Sequence, residues 1–177
     1  TGDEGKSDAA TCCKALSQRT GVRPDEVIPF STGVIGEKLQ VSNITDALPE
    51  LIPTLDETNW LLAAKGIMTT DTRPKVATRR LEIEGKAVTI TGIAKGSGMI
   101  QPNMATMLTY IATDASVSKQ VLQELLKTGA ERSFNRITVD SDTSTNDSCM
   151  LASTGVSGVN CDVGTAREGF QEALFSL

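Results

Sequence analysis

Histidine is absent from all 177 residues. Within this chain that excludes a serine–histidine or cysteine–histidine dyad and any histidine-ligated metal, so no metal site is expected. A transfer or hydrolytic enzyme built here needs another general base. No stretch comes near the roughly 18 uninterrupted apolar residues of a membrane span, so no membrane partner is expected. Cysteine is scarce: Cys12, Cys13, Cys149 and Cys161 show no C-x-x-C spacing, and the adjacent pair is poorly suited to bridging itself. Reduced thiols in a cytoplasmic compartment are expected. A basic excess is missing as well. The net charge of −5 argues against nucleic acid as a partner, because counterion release needs a basic surface. The opening "TGDEGKSDAA" is acidic and polar, unlike a secretory signal. No P-loop, G-x-G-x-x-G fingerprint or EF-hand loop occurs, and there is no internal repeat.

What is present fits a globular chain, 39% hydrophobic and 22% charged, long enough for one substantial core or two small ones. Small and apolar residues over Gly5–Gln18 predict a helix closed by "RTG". "DEVIPFSTG" reads as a short strand running into a glycine loop. "VSNITDALPELIPTL" reads as a helix capped at Asn43 or Thr45, and "DETNWLLAAKGIM" as another, capped at Asp56 or Thr58, with Trp60, Leu61, Ala64 and Met68 on one side. "RLEIE" and "AVTITGIA" alternate apolar and polar residues around "GK", a β-hairpin signal. "ATMLTYIATDA" is strand-like. "SVSKQVLQELLKTGA" predicts a helix with a serine cap, inward Val121, Leu122, Leu125 and Leu126, and a glycine at its end. "FNRITVDSD" and "DSCMLASTGVSG" read as strands around a polar turn. "VGTAREGFQEALFSL" starts a helix capped at Thr165 that runs to the last residue. Alternating helices and strands with hairpin signals favour mixed α+β layers over a purely parallel sheet.

Four stretches carry candidate chemistry. "KGSG" (Lys95–Gly98) and "TGVIG" (Thr32–Gly36) are glycine loops that could cradle an anion with backbone N–H groups, or simply serve turns needing positive φ. "IMTTDTRPK" gathers Thr69, Thr70 and Thr72 around Asp71 and Arg73, either a polar binding loop or ordinary turn chemistry. "VDSDTSTNDS" alternates acids and hydroxyls, either a ligand loop or a solvated turn. The stretch "KGSGMIQPNMATMLTY" suggests a mechanism that needs no histidine. A threonine hydroxyl is a poor nucleophile without a base. An N-terminal threonine carries its own base, an α-amine with a reference pKa of ~8. Cutting the chain between Ala105 and Thr106 supplies that base, through attack of the Thr106 hydroxyl on the Ala105 carbonyl and hydrolysis of the resulting ester. The alternative is a threonine that merely starts a core strand.

"AKGSGMIQPNMATML" resembles the self-cleavage segment of the ornithine acetyltransferase family, the bifunctional glutamate N-acetyltransferases of arginine biosynthesis. "TGDEGKSDA", "STGVIGEKL", "AAKGIMTTDTRPK" and "DSDTSTNDSCMLASTG" resemble other family stretches and follow in the family's order. The resemblance implies a layered α/β sandwich of the N-terminal-nucleophile-like type. It implies a precursor cut before Thr106, with residues 1–105 closing the α-subunit region and 106–177 opening the β-subunit region of one continuous fold. It implies acetyl transfer from N2-acetylornithine to glutamate by a ping-pong route through an acetyl-threonine, with acetyl-CoA a donor in some members and no bound cofactor. Residue by residue, it assigns Thr106 as nucleophile, Thr1 and Gly2 as the oxyanion hole, and Thr69, Lys95 and Thr106 as substrate-binding positions. It also implies assembly as α2β2 or larger.

The sequence departs from that pattern at both ends. The family's long N-terminal part before "TG" is not in the 177 residues. Neither is its glutamate in a "DGEGATK"-like segment, nor the later asparagine and threonine or serine that help bind substrate. The resemblance therefore implies a fold and a site incomplete at both ends. Other readings are a proteasome-like threonine hydrolase using Thr1, a serine-nucleophile aminopeptidase relative, and a non-catalytic module that binds an anion or nucleotide in its glycine loops.

Overall fold

The computed structural model describes residues 2–34, 36–98, 107–139 and 147–177. The chain divides into two compact units, Thr1–Glu57 and Thr58–Leu177.

In the first unit, helix α1 (Gly2–Thr20) carries Asp3 and Glu4 in its first turn, where carboxylates complement the helix dipole. It ends where Gly21 adopts φ +77° and its N–H reaches the Ser17 carbonyl at 2.9 Å. Helix α2 (Val41–Leu51) begins after Gln40, not at the expected Asn43 or Thr45 caps. Its apolar spacing, Val41, Ile44, Leu48 and Leu51, already sets a helical face from the first residue. The two helices pack on each other, and among the described residues of this unit Cys13 and Leu48 are the buried apolar ones. The strand expected in "DEVIPFSTG" does not form. Pro24–Glu26 is a single 3-10 turn, pinned by the Arg23 N–H on the Glu26 carboxylate at 2.7 Å. Local hydrogen bonding captures the backbone, and Pro29 has no N–H to offer a ladder.

The second unit is a four-stranded sheet with helices. Helix α3 (Trp60–Gly66) follows Asn59, later than the expected Asp56 or Thr58 caps, and buries Ala64 completely while Leu61 and Leu62 stay exposed. It leads to β1 (Lys75–Ile83) and β2 (Lys86–Lys95), an antiparallel pair with Ile83 opposite Lys86. The two-residue turn between them is Glu84-Gly85, with φ of 54° and 74°. Positive φ at both positions matches the right-handed twist of the strands. β3 (Leu108–Thr113) pairs antiparallel with β2, and β4 (Ser148–Ser153) pairs parallel with β3, giving the order β1-β2-β3-β4. The mixed sheet is the α+β architecture expected.

Between β3 and β4 runs α4 (Lys119–Arg132), capped by the Ser118 hydroxyl on the Val121 N–H as expected. The helix does not stop at Gly129. It continues through this residue to Arg132, and a Cβ at position 129 would lie in ordinary van der Waals contact with the Phe175 ring, 3.4 Å away. The strand expected over "FNRITVDSD" is absent from its described part: Phe134–Arg136 forms a 3-10 turn, with Arg136 bonded back to the Glu131 carbonyl. Helix α5 (Gly164–Phe175) is preceded by Val163 rather than capped by Thr165, and closes at Phe175. Alternate residues of the sheet, Ile83, Val88, Ile90 and Leu151, form one core with Val121 and Leu125 of α4 and Ala166, Phe170 and Leu174 of α5. Among the described residues no helix is long and apolar enough to cross a membrane.

Phe170 is fully buried, so Phe170→Ala should lower the unfolding free energy by about 3–5 kcal/mol in a denaturant titration. Glu84→Asn should raise it by several tenths, about 0.5 kcal/mol, because asparagine tolerates positive φ better than glutamate.

Candidate functional site

One end of the sheet gathers the stretches singled out in the sequence. β2 ends at Lys95, which pairs with Leu108 at the start of β3, and Leu108 in turn pairs with Ser148 at the start of β4. The described chain resumes at Met107 on one side and Asp147 on the other, and these two residues are tied together. The Met107 N–H donates to the Asp147 carboxylate at 2.7 Å, and the Ser148 N–H donates to the Met107 carbonyl at 2.9 Å. The residue following Thr106 is therefore fixed in backbone position by the tail of "DTSTND", forty residues away.

The threonine-rich loop joins the same end of the sheet through Asp71. The Asp71 side chain is 1% exposed. Its Oδ2 accepts the Thr69 N–H at 3.3 Å. Its Oδ1 accepts the Gly96 N–H at 2.9 Å and a bond from the Lys75 ammonium. Lys75 also donates to the Gly96 carbonyl at 3.1 Å, and the hydroxyls of Thr70 and Ser97 are hydrogen-bonded to each other. Burial alone would push the Asp71 carboxyl up, but the bonds from Gly96, Lys75 and Thr69 and the charge of Lys75 outweigh it and hold the carboxyl below its ordinary value of 3.8.

Of the residues proposed from sequence, Thr69 and Lys95 are thus brought together, each beside an Asp71 contact. Lys95 is buried, 2% exposed, at the closed end of β2. Gly2 opens α1 in the first unit, with φ +70°. Thr1, Ala105 and Thr106 lie outside the described residues. Asp71 belongs to the threonine-rich candidate loop, whereas Lys75 and Asp147 have no individual role in the sequence reading. The i, i+4 spacing of Asp71 and Lys75 is a local signal compatible with an ion pair, but Gly96, the group they share, is 25 residues from Asp71. β3 adds Thr109, 3% exposed, whose hydroxyl is without a hydrogen-bond partner among the described residues.

Three of the four cysteines are poorly suited to act as nucleophiles. All four are free. Burial pushes the Cys149 thiol up to about 11, and burial also raises Cys12 and Cys161, with neighbouring negative groups adding to it. Thiols so shifted are protonated at neutral pH. Among the described residues no cluster of acids and cysteines is arranged to hold a metal.

A profile of the ArgJ family matches residues 1–177. The arginine biosynthesis bifunctional protein ArgJ of Pseudomonas fluorescens (strain Pf0-1) is 56% identical over 180 residues, taking in 100% of this chain and 44% of its own length. The protein of that name from Methylococcus capsulatus is 52% identical over 176 residues, 98% of this chain and 43% of its own. That from Pseudomonas syringae pv. tomato is 57% identical over 155 residues, 88% and 38%. The crystal structure of the Bacillus halodurans protein of the same name superposes with a TM-score of 0.51 at 35% identity, over 61% of this chain and 55% of that one. The chain spans less than half the length of the curated relatives it matches.

Because the Asp71 carboxyl is held low, its stabilising contribution is fully present above the ordinary value of 3.8 and is lost as pH falls through the lowered value of the folded state. The gap in unfolding free energy between the parent protein and Asp71→Asn should therefore be constant near neutrality and close in acid. Denaturant titrations at a series of pH values would show it.

Proposed function

Because the chain belongs to the ArgJ family, we propose that the protein transfers an acetyl group from N2-acetylornithine to glutamate, releasing ornithine and N-acetylglutamate. The observation that carries this reading is the convergence at one sheet end of Lys95, Thr69 and the residue following Thr106. The relatives' description as bifunctional proteins of arginine biosynthesis supports it and leaves room for acetyl-CoA as a second donor.

The chemistry follows from a chain with no histidine. The Thr106 hydroxyl attacks the Ala105 carbonyl and the acyl group shifts from nitrogen to oxygen. That shift frees the Thr106 amine, and water then cleaves the ester, releasing the Ala105 carboxylate and the Thr106 hydroxyl. That amine, with a reference pKa of ~8, takes the hydroxyl proton as Thr106 attacks the acetyl carbonyl of the donor. Ornithine leaves as the amine, the acetyl group stays as an ester on Thr106, and the glutamate amine then attacks it. The Thr1 hydroxyl and the Gly2 N–H are the oxyanion donors of this scheme, each worth on the order of 3 kcal/mol if aimed at the developing charge. Lys95 supplies a cation for a substrate carboxylate and Thr69 a polar contact for the amino-acid backbone. In this reading the cut chains work as an α2β2 assembly in the cytoplasm, on small-molecule substrates and without a bound cofactor or metal.

Intact-mass analysis of folded protein should show two chains, one beginning at Thr106. Thr106→Ala should leave a single chain and reduce acetyl transfer to background, while Thr106→Ser retains part of both. Transfer by the alanine variant, or activity from uncut protein alone, would remove Thr106 as the nucleophile.

A further inference from the structure

We propose that Asp71 is a positioning residue of this site, and that with Lys75 it clamps the glycine hinge beside Lys95 so that Lys95 and Thr69 are presented together. The inference rests on the acyl-transfer reading for its substrates, but the clamp itself stands on geometry. Lys95 is followed by Gly96, a residue whose backbone is otherwise the least constrained in the chain's repertoire. Both polar groups of Gly96 are held: its N–H by the Asp71 carboxylate at 2.9 Å and its carbonyl by the Lys75 ammonium at 3.1 Å. The two peptide units flanking Gly96 therefore cannot turn independently. The other oxygen of the same carboxylate holds the Thr69 N–H, so one buried group sets the distance between the two loops.

An exposed ion pair would contribute little. This pair differs because the carboxylate is 1% exposed while the lysine keeps 44% of its side chain in solvent. The carboxylate accepts charge-assisted bonds from two backbone N–H groups as well as from the ammonium. Removing its charge leaves the Thr69 and Gly96 N–H groups with a weaker acceptor and Lys75 without the Asp71 counter-charge. A substrate-binding lysine on a freed glycine hinge is then misplaced, and a shift of about 1 Å in a positioning group can cost on the order of a hundredfold.

The test uses the full-length protein and two readouts. The first is reductive methylation of Lys95 with formaldehyde and borohydride, followed by peptide mapping, which does not depend on the reaction catalysed. Lys95 should be protected in the parent protein and labelled about tenfold faster in Asp71→Asn, as expected when a local closing interaction is lost. The second is steady-state acetyl transfer. The KM values for N2-acetylornithine and glutamate should rise about tenfold with kcat changed less, since lost positioning of bound substrate reads mainly in binding. Self-cleavage should still go to completion. If Asp71→Asn does not fold, Lys75→Gln removes half the clamp from a half-exposed side chain and takes the same readouts, and Lys75→Arg, which keeps the cation, should restore the protection. A lowered melting temperature with unchanged KM values and unchanged Lys95 protection would make Asp71 merely structural and overturn the proposal. If the parent protein transfers no acetyl group, the proposed function falls, and the labelling alone decides the clamp: protection lost in Asp71→Asn supports it, protection kept overturns it.

Discussion

The antiparallel pairing of β2 with β3 is the constraint on which the rest of the second unit depends. β2 is the strand through which the sheet is organised: Val88 and Ile90 are fully buried on the face that meets α4 and α5, and Lys95 is buried at its end. β3 receives β2 on one side and β4 on the other. Because Lys95 stands opposite Leu108 and Leu108 opposite Ser148, three segments far apart in sequence begin or end side by side. A one-residue slip of β2 against β3 would turn Val88 and Ile90 out of the core, so hydrophobic burial and the placement of the candidate site are enforced by the same register.

A polar network completes what the register begins. Backbone pairing brings Lys95 to the rim of the sheet but does not hold the glycine-rich chain beyond it. Asp71 does, by accepting backbone N–H groups from both loops, with Lys75 balancing its charge. Asp147 plays a comparable part for Met107. In both cases a carboxylate meets a backbone N–H that no strand partner satisfies, which is how irregular chain at a sheet end keeps its donors paired. Neither carboxylate needs to touch a substrate to matter for one.

Legibility from sequence followed the range of the forces involved. The β1–β2 hairpin, α1 and α4 were readable because alternation, helical spacing and caps are written within a few residues. The readings failed where composition suggested one thing and a partner or a local bond decided another. "DEVIPFSTG" has strand-forming residues, but the Arg23–Glu26 turn captures its start. Gly129 reads as a helix stop, yet α4 runs through it to Arg132. "FNRITV" has the branched residues of a strand, but Phe134–Arg136 stays a helical turn.

By itself the sequence determined the chemical type. A chain without histidine excludes a histidine base within these residues, because a missing side chain cannot be supplied by folding. It also carried the family, through ordered motifs along its length. Only the tertiary structure decided which of several glycine and threonine loops belong together. That choice depends on a buried carboxylate bridging the backbone N–H groups of Thr69 and Gly96, and the energy of such a contact exists only once burial and strand register have removed water from it.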